Sequence, residues 1–124
     1  MNDANALVSR TCTLLRAGWK VGTQFIVENP VDRGDRSLSR AFLHKDHGSI
    51  WQMPDIERLS DDCGCDRVHF AQCMFGAEVQ KYTTFWYTAA LSPLFASIRN
   101  LHCSHAPGTH TTAGGVRLTD GTWN

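Results

Sequence analysis

Thr23-Gln24-Phe25-Ile26-Val27-Glu28 is an aromatic and β-branched run that ends at Asn29-Pro30, where a residue without an N–H cannot continue a ladder. It reads as a buried strand that feeds a loop. Before it, Leu7, Val8, Leu14 and Leu15 recur near helical spacing behind the capping residues Asn2 and Asp3, with Gly18 as a stop, so a helix is expected over about 4–17. After it, residues 31–48 turn to charge, histidine and glycine, with a short helical turn expected at Ser39–Leu43. Trp51 and Met53 are expected to anchor the end of that loop to the core.

Further on, Pro54 sits well in the first turn of a short helix through Leu59, followed by a turn at Asp61-Asp62-Cys63-Gly64-Cys65-Asp66. Arg67–Cys73 and Lys81–Tyr87 are two more strand candidates, close enough in sequence to pair antiparallel. Ser92-Pro93 opens a helix through Ile98. This order predicts an α/β chain: one end of an open sheet, finished by an antiparallel hairpin. Such a sheet edge usually belongs to a larger sheet. The domain is expected over 1–106, with a disordered glycine- and threonine-rich tail over 107–124.

Composition narrows the function. Twelve basic residues balance twelve acidic ones, so no whole-surface field draws the chain to nucleic acid or anionic lipid. The apolar stretches fall far below the roughly 20 residues of a membrane span, and the N-terminus lacks a basic-then-apolar leader pattern. Five cysteines, an odd number without dense regular spacing, predict free thiols in an intracellular compartment, cytoplasm or nucleus.

Two segments carry a resemblance: Phe25-Ile26-Val27-Glu28-Asn29-Pro30, and Phe75-Gly76-Ala77-Glu78-Val79-Gln80-Lys81-Tyr82-Thr83-Thr84. In order and separation they resemble two motifs of the DNA cytosine-5 methyltransferases, a Glu-Asn-Val that ends a strand of a Rossmann-like S-adenosylmethionine domain and a Tyr-Gly-x-Pro-Gln-x-Arg-x-Arg that opens the next hairpin. They are more similar still to methyltransferase-like proteins of phages and mobile elements, which carry a Glu-Asn-Pro, a Cys-x-(Tyr/Phe)-Gly, a Lys-x-Thr and a Cys/His-bearing segment. Here these are Glu28-Asn29-Pro30, Cys73-Met74-Phe75-Gly76, Lys81-Tyr82-Thr83 and Cys103-Ser104-His105. Pro30 replaces the family's Val, Val79 its Pro, and Tyr82 and Thr84 its two Arg residues.

The resemblance implies a partial Rossmann-like sheet whose Glu28 is the catalytic acid, with Asn29, Pro30, Gln80 and Lys81 facing the substrate. Attack on C6 of a flipped-out cytosine needs a thiolate and an acid near N3, and a partly desolvated carboxyl at a strand end suits the second role. The family's glycine-rich cofactor loop and Pro-Cys nucleophile both precede the Glu-Asn motif, and only 27 residues precede Glu28. The expected protein is therefore the C-terminal half of such a domain, inactive alone and implying a separate N-terminal half, with DNA or RNA as partner and S-adenosylmethionine as the parent family's cofactor.

Each residue also has a plainer reading. Glu28 can be a strand-end carboxylate facing solvent, and Tyr82 and Thr83 ordinary strand residues. Asn29-Pro30 could open the Asn-Pro-Pro-aromatic motif of amino-methyltransferases, but Val31 breaks it. Cys103, His105 and His110, with His102 nearby, offer soft and borderline ligands that could close on Zn²⁺, in no established zinc spacing. Cys63-Gly64-Cys65 lacks a second pair in the neighbouring sequence. Cys73 reads as a buried structural thiol, because His69, four residues away on a strand, sits about 13 Å off and cannot activate it. Arg33, Arg36, Arg40, His44, Lys45 and His47 could meet phosphates or simply form a solvated loop. A non-catalytic nucleic-acid- or zinc-binding module is thus the alternative function.

Overall fold

In the computed structural model, which describes residues 3–38, 48–99 and 101–111, the chain is mixed α/β around a three-stranded antiparallel sheet. Helix α1 (Asp3–Lys20) leads to strand β1 (Ile26–Pro30). A 3₁₀ turn at Ile50–Gln52 then leads into α2 (Pro54–Cys63) and β2 (Cys65–Ala71). A second 3₁₀ turn (Gln72–Phe75) precedes β3 (Tyr82–Thr88), and a third (Ala89–Leu91) runs into the four-residue α3 (Ser92–Phe95).

The strand order is β1-β3-β2, so β3 is central and antiparallel to both neighbours. Since β1 and β2 each run opposite to β3, they run parallel to one another, with α2 in the connection between them. That is how a crossover through a helix places two parallel strands, here with a third strand laid between.

Both faces of β3 are covered. On one face Trp86, with Val27 opposite it on β1, packs into a core of Cys12, Phe25, Trp51, Ile56, Leu59 and Cys63 drawn from α1, the residue before β1, the turn before α2 and α2 itself. Edge-on contacts of Trp86 with Phe25 (5.4 Å) and Trp51 (6.4 Å) suit the ring quadrupoles, and its indole N–H donates to Ser60 Oγ at 2.8 Å. On the other face Tyr87 and Val68 pack with Phe95 of α3, Phe85, Leu91 and Ile98. A strand covered on both sides has no reason to alternate, which explains the run Tyr82-Thr83-Thr84-Phe85-Trp86-Tyr87-Thr88.

Several boundaries move from their expected places. α1 is longer at both ends than 4–17. The turn expected at 61–66 is instead the last turn of α2, closed by Gly64 in the left-handed region (φ 62°), whose N–H donates to the Ser60 carbonyl. β2 starts immediately after it. The helix expected through Ile98 regularises only over Ser92–Phe95 before loosening into turns.

The first strand is the largest correction. It begins at Ile26 rather than Thr23, and it is not buried: Ile26 is 49% exposed and exposure alternates along the strand. The reason is its position, since among the described residues it pairs on one side alone, with β3. Pro30 is tolerated in the ladder on such an edge. Burial here falls on Phe25, Val31 and Asp32, which flank the strand.

The loop after β1 is tied down by Asp32. Its carboxylate accepts from the Gly34 backbone N–H at 2.9 Å and from Gln52 Nε2 at 2.5 Å. Trp51 is 3% exposed and donates from its indole to the Pro30 carbonyl at 2.9 Å, fixing the loop's far end as expected. The expected turn at Ser39–Leu43 lies outside the described residues, as do Arg40, His44, Lys45 and His47.

Candidate metal centre

One end of the sheet collects the chemistry-bearing side chains. The carboxyl ends of β1 and β2 and the start of β3 meet there. His69 Nδ1 lies 2.8 Å from the buried Thr84 hydroxyl, and burial, reinforced by nearby Arg67, pulls the His69 imidazole below its usual range. Gln72 Nε2 donates to Thr83 Oγ1 at 2.9 Å. Around the edge, the segment after α3 returns to the same end and brings the Cys/His residues with it.

Cys73 reaches the site from the 3₁₀ turn that follows β2. Gly76 closes that turn with φ 89°, donating its N–H to the Cys73 carbonyl. The incoming segment is fixed at its start by the Ala71 N–H donating to the Leu101 carbonyl at 2.9 Å, and by the Cys103 N–H donating to the Tyr82 hydroxyl at 3.4 Å. Between His105 and His110 the chain reverses through Gly108 (φ 82°), with both the N–H and the hydroxyl of Thr109 donating to the Ala106 carbonyl. It is held again at Thr111, whose N–H donates to the Glu78 carbonyl at 3.1 Å and which bridges to Val79.

The result is a four-ligand cluster. Cys73 Sγ, Cys103 Sγ and one ring nitrogen each of His105 and His110 lie within 4.8 Å of one another. Cys103 Sγ is 3.5 Å from His105 Nδ1 and 3.1 Å from His110 Nε2, and the two imidazoles meet edge to face with centroids 5.0 Å apart. In a tetrahedral zinc site with Zn–S near 2.3 Å and Zn–N near 2.05 Å, the sulfur-to-nitrogen edge is about 3.5 Å. The cluster is therefore compatible with a metal ion of that size without major rearrangement.

Electrostatics favour the ligating form of one sulfur. The hydrogen bond from His110, added to that from His105, outweighs desolvation and brings the Cys103 thiol down to about 6. Cys73, 3% exposed beneath it, is pushed up, first by burial and then by the neighbouring Cys103. A cavity of about 340 Å³ opens beside the cluster, lined by Gln80, Tyr82, Pro107, Gly108 and the three ligands Cys103, His105 and His110.

Three of these ligands were legible in the sequence, and Cys73 was not. His102 stays outside the cluster, tilted over the Tyr82 ring at 6.4 Å. None of the five cysteines is in a disulfide. Cys63 and Cys65 pack at the α2–β2 junction and form no ligand group among the described residues.

The residues singled out by resemblance come together in part. Glu28, the middle residue of β1, faces Lys81 across the sheet end, with Nζ donating to Oε1 at 3.0 Å and both side chains about two-fifths exposed. Pro30 pairs in register with Thr83 and Asn29 with Thr84. Gln80 is exposed and lines the cavity by the Cys/His cluster. Arg33 and Arg36 are exposed in the loop after β1. β1 runs through Asn29-Pro30 into Val31 and Asp32 without a glycine-rich turn.

Fold and site together define a small α/β domain with a Cys₂His₂ candidate metal centre at one end of its sheet. Compared with protein-family models, with curated proteins and with solved structures, the chain matches none. No helix of the described residues is long and apolar enough to cross a membrane.

Proposed function

We propose that the chain is a zinc-binding module in which Cys73, Cys103, His105 and His110 hold one Zn²⁺ in a structural site. The observation that carries this reading is the convergence of four ligand atoms within 4.8 Å from two separate segments. Two thiolates and two imidazoles are the soft and borderline donors that suit zinc, and four protein ligands complete its tetrahedral shell with no open position for catalysis. The ion clamps the return segment 101–111 onto the turn after β2, so its binding energy is folding energy for that end of the sheet. The test is metal analysis of the purified chain. One zinc per chain, lost on Cys103→Ser, is expected; metal-free protein that fails to take up added zinc overturns the proposal.

A second reading is favoured by a different observation: the Glu28–Lys81 ion pair joins two motif segments 53 residues apart in sequence. In that reading the sheet is the end of a Rossmann-like domain of nucleic-acid cytosine methyltransferase type. Glu28 serves as acid to the ring nitrogen of a flipped-out base, with Asn29, Pro30, Gln80 and Lys81 around it, and the donor-binding half and nucleophile lie elsewhere. Reading the coding sequence upstream tests it. A glycine-rich strand turn and a Pro-Cys are expected there, and a frame with neither rules the reading out.

A further inference from the structure

We propose that Cys73 and Cys103 are also a peroxide-modification site, oxidised to a disulfide that cannot hold the metal. The inference rests on the metal reading for the release of the ion and on geometry alone for the oxidation.

Two observations, taken together, point to this pair. The first is proximity: both sulfurs belong to the cluster whose ligand atoms lie within 4.8 Å of one another. A disulfide needs about 2.05 Å between sulfurs, so the pair must close by at most roughly 3 Å. The means is at hand on one side. Residues 101–106 adopt neither helix nor strand, and Cys103 is tied to the sheet through the Leu101 carbonyl and the Tyr82 hydroxyl, whereas Cys73 sits in a glycine-closed turn.

The second observation is access. Of the five cysteines, Cys103 alone lines the cavity of about 340 Å³ beside the cluster, while Cys73 lies beneath it at 3% exposure. A small oxidant entering the cavity meets Cys103 first, with a second thiol behind it positioned to resolve the product. Sulfenic acids with a neighbouring thiol condense to disulfides in this way.

The steps balance with hydrogen peroxide as the named oxidant. The Cys103 thiolate sulfur attacks one peroxide oxygen and the O–O bond breaks. The departing hydroxide takes a proton from solvent and leaves as water, so Cys103 becomes a sulfenic acid, oxidised by two electrons. Cys73, already a thiolate in the zinc-loaded site and deprotonated to solvent in the metal-free chain, then attacks the Cys103 sulfur. The S–S bond forms, the S–O bond breaks, and the hydroxide leaves as a second water after protonation. Both sulfur ligands are then consumed. Two imidazoles cannot hold zinc as two imidazoles and two thiolates do, and the ion departs.

The experiment treats the full chain, zinc-loaded and zinc-stripped, with hydrogen peroxide, then maps disulfides by mass spectrometry without reduction while a colorimetric chelator follows free zinc. The expected result is a Cys73–Cys103 cross-link in both samples, with one zinc released per cross-link in the loaded one and recovery on adding a thiol reductant. Cys63→Ser should leave the cross-link unchanged, and Cys73→Ser should arrest oxidation at a Cys103 sulfenic acid that a dimedone probe labels. Cross-links at other cysteines, or further oxidation of Cys103 without a cross-link, overturn the proposal. A chain that binds no zinc yet forms the Cys73–Cys103 bond contradicts the metal reading and leaves the oxidation standing. A chain that binds zinc and forms no such bond does the reverse.

Discussion

His110 Nε2 stands 3.1 Å from the sulfur of Cys103, across a chain reversal of seven residues. That contact lies behind the depressed Cys103 pKa of about 6, which sets a sign for the metal-free protein. The group is depressed in the folded state from an ordinary value of 9.0. Its contribution to stability is present in full above pH 9, shrinks as pH falls, and is gone below about 6. The thermal midpoint of the metal-free chain should therefore rise between pH 6 and pH 8, and Cys103→Ser should flatten that rise. An unchanged slope in the variant contradicts the assignment.

Glu28 and Lys81 form an ion pair with both partners well exposed, and such pairs contribute about 0–1 kcal/mol. Glu28→Gln should accordingly shift stability by less than about 1 kcal/mol in urea titrations. A larger loss would give Glu28 a structural part that its exposure does not explain. The small expected effect lets Glu28→Gln report on chemistry rather than folding in any assay of the second functional reading.

Thr88 is 1% exposed, and its hydroxyl has no hydrogen-bond partner among the described residues. Replacing it with valine removes a buried unpaired polar group at nearly constant shape. Thr88→Val should be neutral or stabilising by up to about 1–3 kcal/mol, read as a higher urea midpoint at unchanged slope. A loss above about 1 kcal/mol would mean that the hydroxyl is bonded in solution.

Leu59 is fully buried between α2 and the Trp86 face of the sheet. Leu59→Ala should cost about 2–5 kcal/mol, a large part of the total stability of a domain this size. Leu14 is 73% exposed on α1, and Leu14→Ala should fall within about 0.5 kcal/mol of the parent. Equal effects at the two positions would contradict the packing of α1 and α2 on this face.

What could be read in the sequence followed how local each signal is. β2 and β3 were legible because their β-branched and aromatic residues suit a pleated surface in almost any context. β1 was misplaced because Phe25 is apolar and buried like a strand residue, yet precedes the ladder; pairing partners, which no local pattern carries, decide where a strand begins. The end of α2 was missed because Asp61-Asp62-Cys63-Gly64 has turn composition, whereas Gly64 is the left-handed cap that ends a helix. The expectation of a larger Rossmann-like sheet rests on motif likeness and goes beyond the three strands described.

The metal centre divides the same way. Cys103, His105 and His110 lie within eight residues and could be weighed as ligands together. Cys73 is 30 residues upstream, and it joins them because the return segment docks against Ala71 and Tyr82. Its place in the Cys-x-Phe-Gly segment was the one available signal, since that motif and Cys-x-His occur together in the resemblance. Read alone, a cysteine at a strand end is most simply a small apolar residue.

Zinc-edge X-ray absorption on the zinc-loaded chain tests the central claim most directly, because it counts ligands by element. Two sulfurs at about 2.3 Å and two imidazole nitrogens at about 2.0–2.1 Å are predicted, falling to one sulfur or to no bound zinc in Cys73→Ser. A shell of oxygen and nitrogen alone, or one that Cys73→Ser leaves unchanged, would contradict the account.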